Sequence, residues 1–205
     1  MKVVLIRHFP TKGNRLKQYI GRTDEPLDQE AVAKISESLR AASFSYPEVS
    51  LVVTSPMIRC RQTADWIYPG IPKLCCEKLR ETDFGDFEGK TYEELKDCPE
   101  YRQWISDGVG GIIPNGESRA EFDKRCMDGF LETMEKLCME GQESVAFVIH
   151  GGTIMTLMDR FSCEHKAFYD WQVKNGMGYE VEVNSEQWMS GVHQFGNIKK
   201  LIFDC

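Results

Sequence analysis

The hydrophobic residues of the chain fall into short continuous runs and into longer segments with periodic spacing. The continuous runs, rich in Val, Ile and Leu, lie at residues 3–6, 51–53 and 145–149. Such runs are typical of strands that a sheet buries on both faces. The segment after Asp28 instead has apolar residues at every third or fourth position, at Val32, Ile35, Leu39 and Ala42. Because strand-like and helix-like segments alternate, the pattern predicts an α/β fold.

The other segments follow the same two patterns. Asp28 is suited to cap its helix, and Pro56 fits the first turn of a helix that reaches about residue 67. We expect short helices at 92–97 and 99–107, a connector at 108–116, and the longest helix from Ser118 onward. The late runs at 178–183 and 198–203 predict antiparallel strands. The predicted architecture is a three-layer α/β/α sandwich around a mostly parallel, mixed sheet, as one domain over residues 1–205 with a small helical and loop subregion around 90–117.

The composition is that of an ordinary globular protein, with 41% hydrophobic and 28% charged residues among 205. The net charge of −7 argues against nucleic-acid binding, which needs a basic surface. No apolar stretch approaches the length of a membrane span, and the first apolar run is too short for a signal peptide. We therefore expect a cytoplasmic protein whose eight cysteines are reduced thiols.

Polar residues with catalytic potential follow each of the three central strands. Arg7 and His8 end the first run, Ser55 and Arg59 follow the second, and His150 follows the third. In α/β sheets, ligands bind where the carboxyl ends of parallel strands meet helix N-termini. Guanidinium groups match phosphate oxygens, and helix N-termini starting at Pro56 and Gly151 would also favour an anion. This combination predicts a phosphate site.

The chemistry at such a site would depend on a histidine nucleophile. The chain has no Walker A motif, dinucleotide fingerprint or cysteine-based phosphatase loop. The leaving oxygen would need a proton from a carboxylic acid, and the loop at 79–89 offers four candidates, Glu81, Asp83, Asp86 and Glu88.

Four separated blocks, in this order, resemble the histidine phosphatase superfamily, which has the phosphoglycerate-mutase-like fold. They are Leu5-Ile6-Arg7-His8 with Thr11 and Asn14, Thr54-Ser55-Pro56-x-x-Arg59-x-Arg61-Gln62-Thr63-Ala64, Leu79-x-Glu81-x-x-x-Gly85-x-x-Glu88-Gly89, and Val148-Ile149-His150-Gly151-Gly152. The segment that begins Tyr19-x-Gly21-Arg22-Thr23-Asp24 is similar to a substrate-side segment of the family, which makes Gly21 a candidate binding residue.

The resemblance implies a role for each matching residue. His8 would be the nucleophile that becomes phosphohistidine, while Arg7, Arg59 and His150 would hold the phosphoryl oxygens. Glu81 would protonate the leaving group and then activate water, with Glu88 or Asp83 as alternatives. Asn14 and the backbone N–H of Gly151 would complete the phosphate pocket. No metal and no cofactor are implied, because the cationic side chains would supply the positive charge.

Two departures from the family pattern affect the expected substrate. Phe9 replaces the glycine that commonly follows the histidine, so it would narrow the pocket or offer a stacking face to an organic substrate. Ile20 stands where relatives often carry a polar residue, which weakens the case for a small, highly charged substrate. Tyr92, Tyr101 and Trp104 could also line a cleft, although core packing is an equal alternative.

The expected function is hydrolysis of a small-molecule phosphate ester, with α-ribazole 5′-phosphate of the cobalamin pathway as the named candidate. The short connector after residue 92 favours a phosphatase over a mutase. The alternatives are a broad-specificity sugar-phosphate phosphatase, a phosphoglycerate mutase, or a phosphate-binding protein without activity. The expected partners are a small molecule only, with no nucleic acid and no membrane, and the protein would be a monomer or a homodimer.

Overall fold

The computed structural model of the chain describes residues 1–107 and 111–203. Six strands lie within them, β1 (Lys2–Arg7), β2 (Leu51–Thr54), β3 (Lys73–Cys75), β4 (Ser144–Ile149), β5 (Gly178–Glu182) and β6 (Gly196–Leu201). The α-helices are α1 (Lys12–Arg15), α2 (Gln29–Ala41), α3 (Ile58–Ile67), α4 (Tyr92–Leu95), α5 (Pro99–Ser106), α6 (Arg119–Met139), α7 (Gly151–Phe161) and α8 (Ser185–Met189). Short 3-10 turns occupy Glu77–Leu79, Gly85–Phe87 and Phe168–Trp171.

The strands form one mixed sheet in the order β3-β2-β4-β1-β5-β6. The first four strands of that order run parallel to one another. β5 is antiparallel to its neighbour β1, and β6 is antiparallel to β5. This confirms the predicted α/β architecture and its mixed sheet. The two strongest apolar runs, β1 and β4, are direct neighbours in the interior of the sheet, where both faces are covered.

The two faces of the sheet bury alternate residues of each strand, as the two-residue period of a strand requires. Val3 and Leu5 of β1 belong to a large apolar cluster that includes residues of α6 and α7. Val4 and Ile6 belong to a second cluster with Cys60 and neighbouring residues of α3. These layers hold the ends of β1, β2 and β4 in fixed positions.

The start of α3 differs from the prediction. The helix begins at Ile58 with Met57 as its N-cap, so Pro56 precedes the first turn rather than lying in it. The Asp24 carboxylate accepts a hydrogen bond from the Ile58 N–H at 2.6 Å. An anion from the protein itself therefore occupies this helix end, and α3 does not offer its N-terminus to a ligand as we expected.

The small subregion after β3 has its own apolar cluster. Phe87, Leu95, Tyr101, Trp104 and Ile113 pack together there, with Tyr19 and Phe84 against them. The helices predicted at 92–97 and 99–107 are present as α4 and α5, each slightly shorter. The predicted connector lies partly at 108–110, outside the described residues. Within residues 1–107 and 111–203, no helix is long and apolar enough to cross a membrane.

Candidate active site

The carboxyl ends of β1, β4 and β2 lie side by side. Arg7 pairs with Ile149, and Thr54 pairs with Val148. The pairing continues one residue past the strands, because the His8 N–H donates to the Ile149 carbonyl at 2.9 Å and the Ser55 N–H donates to that of Val148 at 3.2 Å. Backbone hydrogen bonds therefore fix the polar residues that follow these strands at one edge of the sheet.

His8 is buried and has one ring nitrogen occupied. Its Nδ1 lies 2.6 Å from the carbonyl oxygen of Phe9, with 4% of the residue exposed. Since a carbonyl oxygen only accepts, Nδ1 must carry the proton. In the neutral ring, Nε2 then has a free lone pair, which is the form that a nucleophile needs.

His150 lies beside His8 at the start of α7. The two ring centroids are 5.2 Å apart in an edge-on arrangement. The Nε2 atom of His150 is 2.7 Å from the Ser55 hydroxyl oxygen, and the Cys60 sulfur lies 3.6 Å from the same nitrogen. Ser55 thus orients the second histidine, a role that the sequence did not reveal.

The pKa values of both histidines are lowered well below the usual 6.5. Burial is the largest cause, followed by the positive charge of Arg59, and Arg7 adds to the effect. Desolvation disfavours the charged form of a histidine, and a nearby cation does the same. The neutral form of His8 is consequently the stable one near neutral pH.

Arg59 is fully buried, at 0% exposure, and its guanidinium is only partly satisfied. It donates from Nη1 to the Thr23 carbonyl and from Nη2 to the Gly21 carbonyl, each at 2.8 Å. Its Nε–H has no hydrogen-bond partner in the described part of the chain. A buried charged donor without a partner is costly unless a ligand satisfies it.

Arg7 repeats this arrangement. Its Nη1 donates to the Val173 carbonyl at 2.8 Å, while its buried Nε–H has no partner among the described residues. A Cβ at Gly151 would come within 3.3 Å of the Arg7 Nε, so the glycine keeps the space beside this donor open. The first N–H groups of α7, which begins at Gly151, have no acceptor within the helix. The positive charges of Arg7 and Arg59 thus both act on His8, while the Glu81 carboxylate accepts from the Gly152 N–H in the first turn of α7.

Asn14 is held by its own loop. Its side-chain oxygen accepts from the Thr11 N–H at 3.3 Å, and Thr11 in turn accepts from the Asn14 N–H. Asn175 donates to the His8 carbonyl at 2.8 Å and to the Asn14 side-chain oxygen at 3.4 Å. These contacts occupy the amide oxygen of Asn14 and leave its Nδ2 hydrogens for a ligand.

Glu81 lies on the irregular loop before α4, and its carboxylate lies close to the start of α7. Its oxygens accept from the Thr82 N–H at 3.0 Å and from the Gly152 N–H at 3.3 Å. The alternative acids have structural partners instead. Glu88 accepts from the Gly21 and Thr23 N–H groups at 2.7 and 2.9 Å, and Asp83 accepts from the Gly85 N–H at 2.9 Å.

The described residues enclose a cleft of about 290 Å³ at this edge. Arg7, Asn14, Glu81 and Gly152 line it, together with Ile20, whereas the buried His8, Arg59 and His150 are not among its lining residues. Six aromatic side chains also line it, those of Tyr19, Phe84, Trp104, Phe122, Phe168 and Tyr169. A larger groove of about 780 Å³, between residues 36–49 and 66–71, contains none of the predicted site residues.

Two of the predicted binding residues, Phe9 and Gly21, make packing contacts in the structure. The Phe9 side chain is fully buried, packs edge-on against Trp66 at 5.1 Å and does not line the cleft. It therefore neither narrows the cleft nor offers a stacking face, and only its carbonyl serves the site. Gly21 also lies outside the cleft lining, and a Cβ there would lie 1.7 Å from the Thr82 carbonyl oxygen. Its contribution is to let two loops approach and to accept from Arg59.

The three aromatic residues that we considered as possible cleft residues differ in their position. Trp104 lines the cleft, as one of the two alternatives proposed, whereas Tyr92 and Tyr101 do not. The positioning contacts from Ser55 and Asn175 could not be predicted from the sequence, because both span more than ninety residues of chain. Within the described residues, no group of three or more His, Cys, Asp or Glu side chains is arranged to hold a metal ion.

A family model of the histidine phosphatase superfamily, branch 1, matches residues 3–194. The chain belongs to this superfamily. The match covers every predicted site residue, and the protein is an enzyme of the histidine phosphatase type. The family assignment agrees with the four motif blocks and with the buried His8–His150 pair.

Several known proteins resemble the chain over most of its length. The Bacillus subtilis protein named "Uncharacterized phosphatase PhoE" is 28% identical over 190 residues, which cover 91% of this histidine phosphatase and 90% of the relative. The yeast (Saccharomyces cerevisiae) "Broad-specificity phosphatase YOR283W" is 25% identical over 98% of this chain and 87% of its own. The crystal structure of the α-ribazole phosphatase from Shigella flexneri shares the fold with a TM-score of 0.76, at 24% identity and 90% and 91% coverage.

Proposed function

We propose that this histidine phosphatase hydrolyses small organic phosphate monoesters through a phosphohistidine intermediate on His8. The observation that carries the proposal is the pair of buried Nε–H donors of Arg7 and Arg59 beside a neutral histidine with a free Nε2. A phosphoryl group bound there would satisfy both donors. It would also place its phosphorus within reach of the nucleophile, and positioning with charge neutralisation supplies most of phosphoryl-transfer catalysis.

The first step forms a bond between Nε2 of His8 and phosphorus as the bond from phosphorus to the leaving oxygen breaks. The carboxylic acid of Glu81 donates its proton to that oxygen, so the leaving group departs as an alcohol. His150, held by Ser55, hydrogen-bonds a phosphoryl oxygen, and Arg7 and Arg59 neutralise the charge on the equatorial oxygens.

In the second step, Glu81 acts as a base instead of an acid. The Glu81 carboxylate accepts a proton from water, and the water oxygen attacks phosphorus as the bond to Nε2 breaks. Inorganic phosphate leaves, and both His8 and Glu81 return to their starting protonation states. In this scheme the arginines supply the positive charge, so we infer that the reaction needs no metal ion.

The cleft walls favour substrates with a flat or apolar group beyond the phosphate. Six aromatic side chains and Ile20 line the space, which suits an aromatic ring better than a small carboxylate-rich metabolite. Arg119 is a half-buried cation of this wall, and its Nε pairs with Asp123 at 2.7 Å while its guanidinium stacks on Phe168 at 3.8 Å. α-Ribazole 5′-phosphate has a fused aromatic ring and is our named candidate substrate.

The proposal is tested by phosphate release from a panel of monophosphates in the presence of a chelator. The panel pairs α-ribazole 5′-phosphate and nucleoside monophosphates with sugar phosphates and 3-phosphoglycerate. We expect hydrolysis to be fastest for esters with an aromatic ring and to be absent in His8→Ala. Transfer of phosphate between the positions of phosphoglycerate would identify a mutase instead, and binding without turnover would identify a phosphate-binding protein.

A further inference from the structure

The segment that carries Glu81 has no regular secondary structure of its own. Residues 80–84 belong to neither a helix nor a strand, so their backbone groups lack the ladder bonds that fix most catalytic residues. A general acid must nevertheless be held within a fraction of an ångström of the leaving oxygen, because a shift of about 1 Å can cost on the order of 100-fold in rate. Something outside the segment must hold it.

Arg125 of α6 provides that support. It donates from Nη1 to the Lys78 carbonyl at 2.7 Å and to the Arg80 carbonyl at 3.1 Å, and from Nη2 to the Glu81 carbonyl at 3.4 Å. Three carbonyl oxygens of the chain leading into the acid are thus bound by one rigid side chain. Arg125 does not line the catalytic cleft but lines a neighbouring groove with Glu81 and Glu117, and its contacts with the Glu81 segment are to backbone carbonyls.

Glu117 holds Arg125 in turn. Its carboxylate accepts from Nε at 2.9 Å and from Nη2 at 2.6 Å, which is the two-point geometry that arginine makes with a carboxylate. The side chains of Arg125 and Glu117 are only 18% and 15% exposed. Arg125 therefore makes five hydrogen bonds in all, one for each N–H donor of its guanidinium group. No donor remains for a ligand, so the group is committed to this position.

We propose that Arg125, clamped by Glu117, is a positioning residue for the general acid Glu81. The inference rests on the proposed function, since it takes Glu81 to be the proton donor. This role predicts a specific change in kcat/KM, which depends on the leaving group of the ester. A displaced Glu81 slows both the protonation of the leaving oxygen and the later attack of water. The value of kcat/KM reflects the first of these steps, so its loss grows as the leaving group becomes more basic.

The test compares kcat/KM for two phosphate esters in each variant. One is 4-nitrophenyl phosphate, whose leaving group departs without a proton, and the other is a simple alkyl phosphate, whose leaving group requires one. We expect Arg125→Lys, which keeps the charge but loses the fork, to lower kcat/KM for the alkyl ester about 10-fold more than for the aryl ester. Glu117→Gln should shift the same ratio in the same direction by less. The matched control is Arg102→Lys, because Arg102 is an exposed arginine of α5 that pairs with Asp97. This substitution should leave the ratio unchanged.

The ratio of two substrates measured in one sample does not depend on how much of that sample is folded. Equal losses on both esters in Arg125→Lys, or no loss on either, would overturn the inference while leaving the proposed function intact, provided that Glu81→Gln shows the selective loss. If Glu81→Gln itself loses both activities equally, the acid assignment fails and the role of Arg125 fails with it.

Discussion

Nδ1 of His8 donates a hydrogen bond to the carbonyl oxygen of Phe9, its own neighbour in the chain, at 2.6 Å. The contact fixes the tautomer of the nucleophile through a backbone atom, so any residue at position 9 can supply it. The Phe9 ring has a separate function, because it fills the core beside Trp66 and lies within 3.0 Å of where a Cβ at Gly176 would stand. Chemistry and packing at this position are therefore separable.

Phe9→Ala tests that separation. Removing a buried aromatic side chain leaves a cavity and should lower the free energy of unfolding by about 3–5 kcal/mol. The KM for 4-nitrophenyl phosphate should stay unchanged, because the ring does not line the cleft. Chemical denaturation and steady-state kinetics measure the two quantities, with Phe9→Leu as the milder control. A raised KM at unchanged stability would mean that the ring contacts substrate after all.

Ser55→Ala tests the support of the second histidine. The substitution removes the 2.7 Å contact to Nε2 of His150 and leaves this buried nitrogen with only the weak Cys60 sulfur contact at 3.6 Å. We expect a stability loss of about 1–3 kcal/mol. We also expect kcat/KM to fall on the order of 10-fold, because His150 loses its fixed orientation. Ser190→Ala, at an exposed position on the distant α8 end, is the control for which neither quantity should change. Unaltered kinetics in Ser55→Ala would show that Ser55 does not orient the histidine.

The two buried histidines predict a specific dependence of stability on pH. Their pKa values are lowered from 6.5 in the folded state, so the unfolded chain binds more protons at any pH between the folded values and 6.5. The free energy of unfolding must then decrease as the pH falls below 6.5, by on the order of 1 kcal/mol per histidine for each pH unit. Urea unfolding at pH 7.5 and 5.5 measures this loss.

Two variants test whether the buried histidines cause this pH dependence of stability. His8→Asn should lessen the loss of stability between pH 7.5 and 5.5, since one of the two titrating groups is gone. His165→Gln, at an exposed histidine that is not part of the buried pair, should retain the full loss. If His8→Asn and the parent protein lost the same amount, burial of a neutral His8 would be refuted.

Tyr169→Ala tests the aromatic wall of the cleft. Tyr169 lines the cleft and is 54% exposed, so its ring is available to a substrate. An aromatic contact contributes about 0.5–1.5 kcal/mol, so KM for a nucleoside monophosphate should rise about 2- to 10-fold, with little change for a sugar phosphate. Tyr92→Ala is the matched control, because Tyr92 is 56% exposed but does not line the cleft. An equal change in KM for both substrates would argue against substrate selection by the aromatic side chains of the cleft.

Most of the proposed catalytic set could be picked out from the sequence because each motif is local. Arg7 ends β1, His8 and His150 directly follow β1 and β4, and Arg59 lies in the first turn of α3 after β2. Parallel strands bring their carboxyl ends to one edge of the sheet. The same local view predicted that the Phe9 side chain faces the pocket, whereas the structure buries it completely. Its side chain joins the core cluster of Val3 and Leu5, which alternation along an extended chain would place on its side of the sheet.

Contacts between distant parts of the chain were beyond prediction. The helix end at Ile58 looked free for a ligand, but Asp24 occupies it from another loop. Ser55 was visible as part of a motif, yet its hydrogen bond to His150 depends on how β2 and β4 pair. Arg125 had no motif at all, since its partners are backbone carbonyls whose position only the folded chain defines.

The phosphohistidine on His8 is the central claim, and trapping it is the most direct test. Protein mixed with labelled phosphate ester is quenched in alkali, digested and mapped by mass spectrometry within the first turnovers. We predict an acid-labile, alkali-stable phosphoryl group on Nε2 of His8, absent in His8→Ala, which should also release no phosphate. Phosphate release by His8→Ala at the rate of the parent protein, or a label on another residue, would contradict the mechanism.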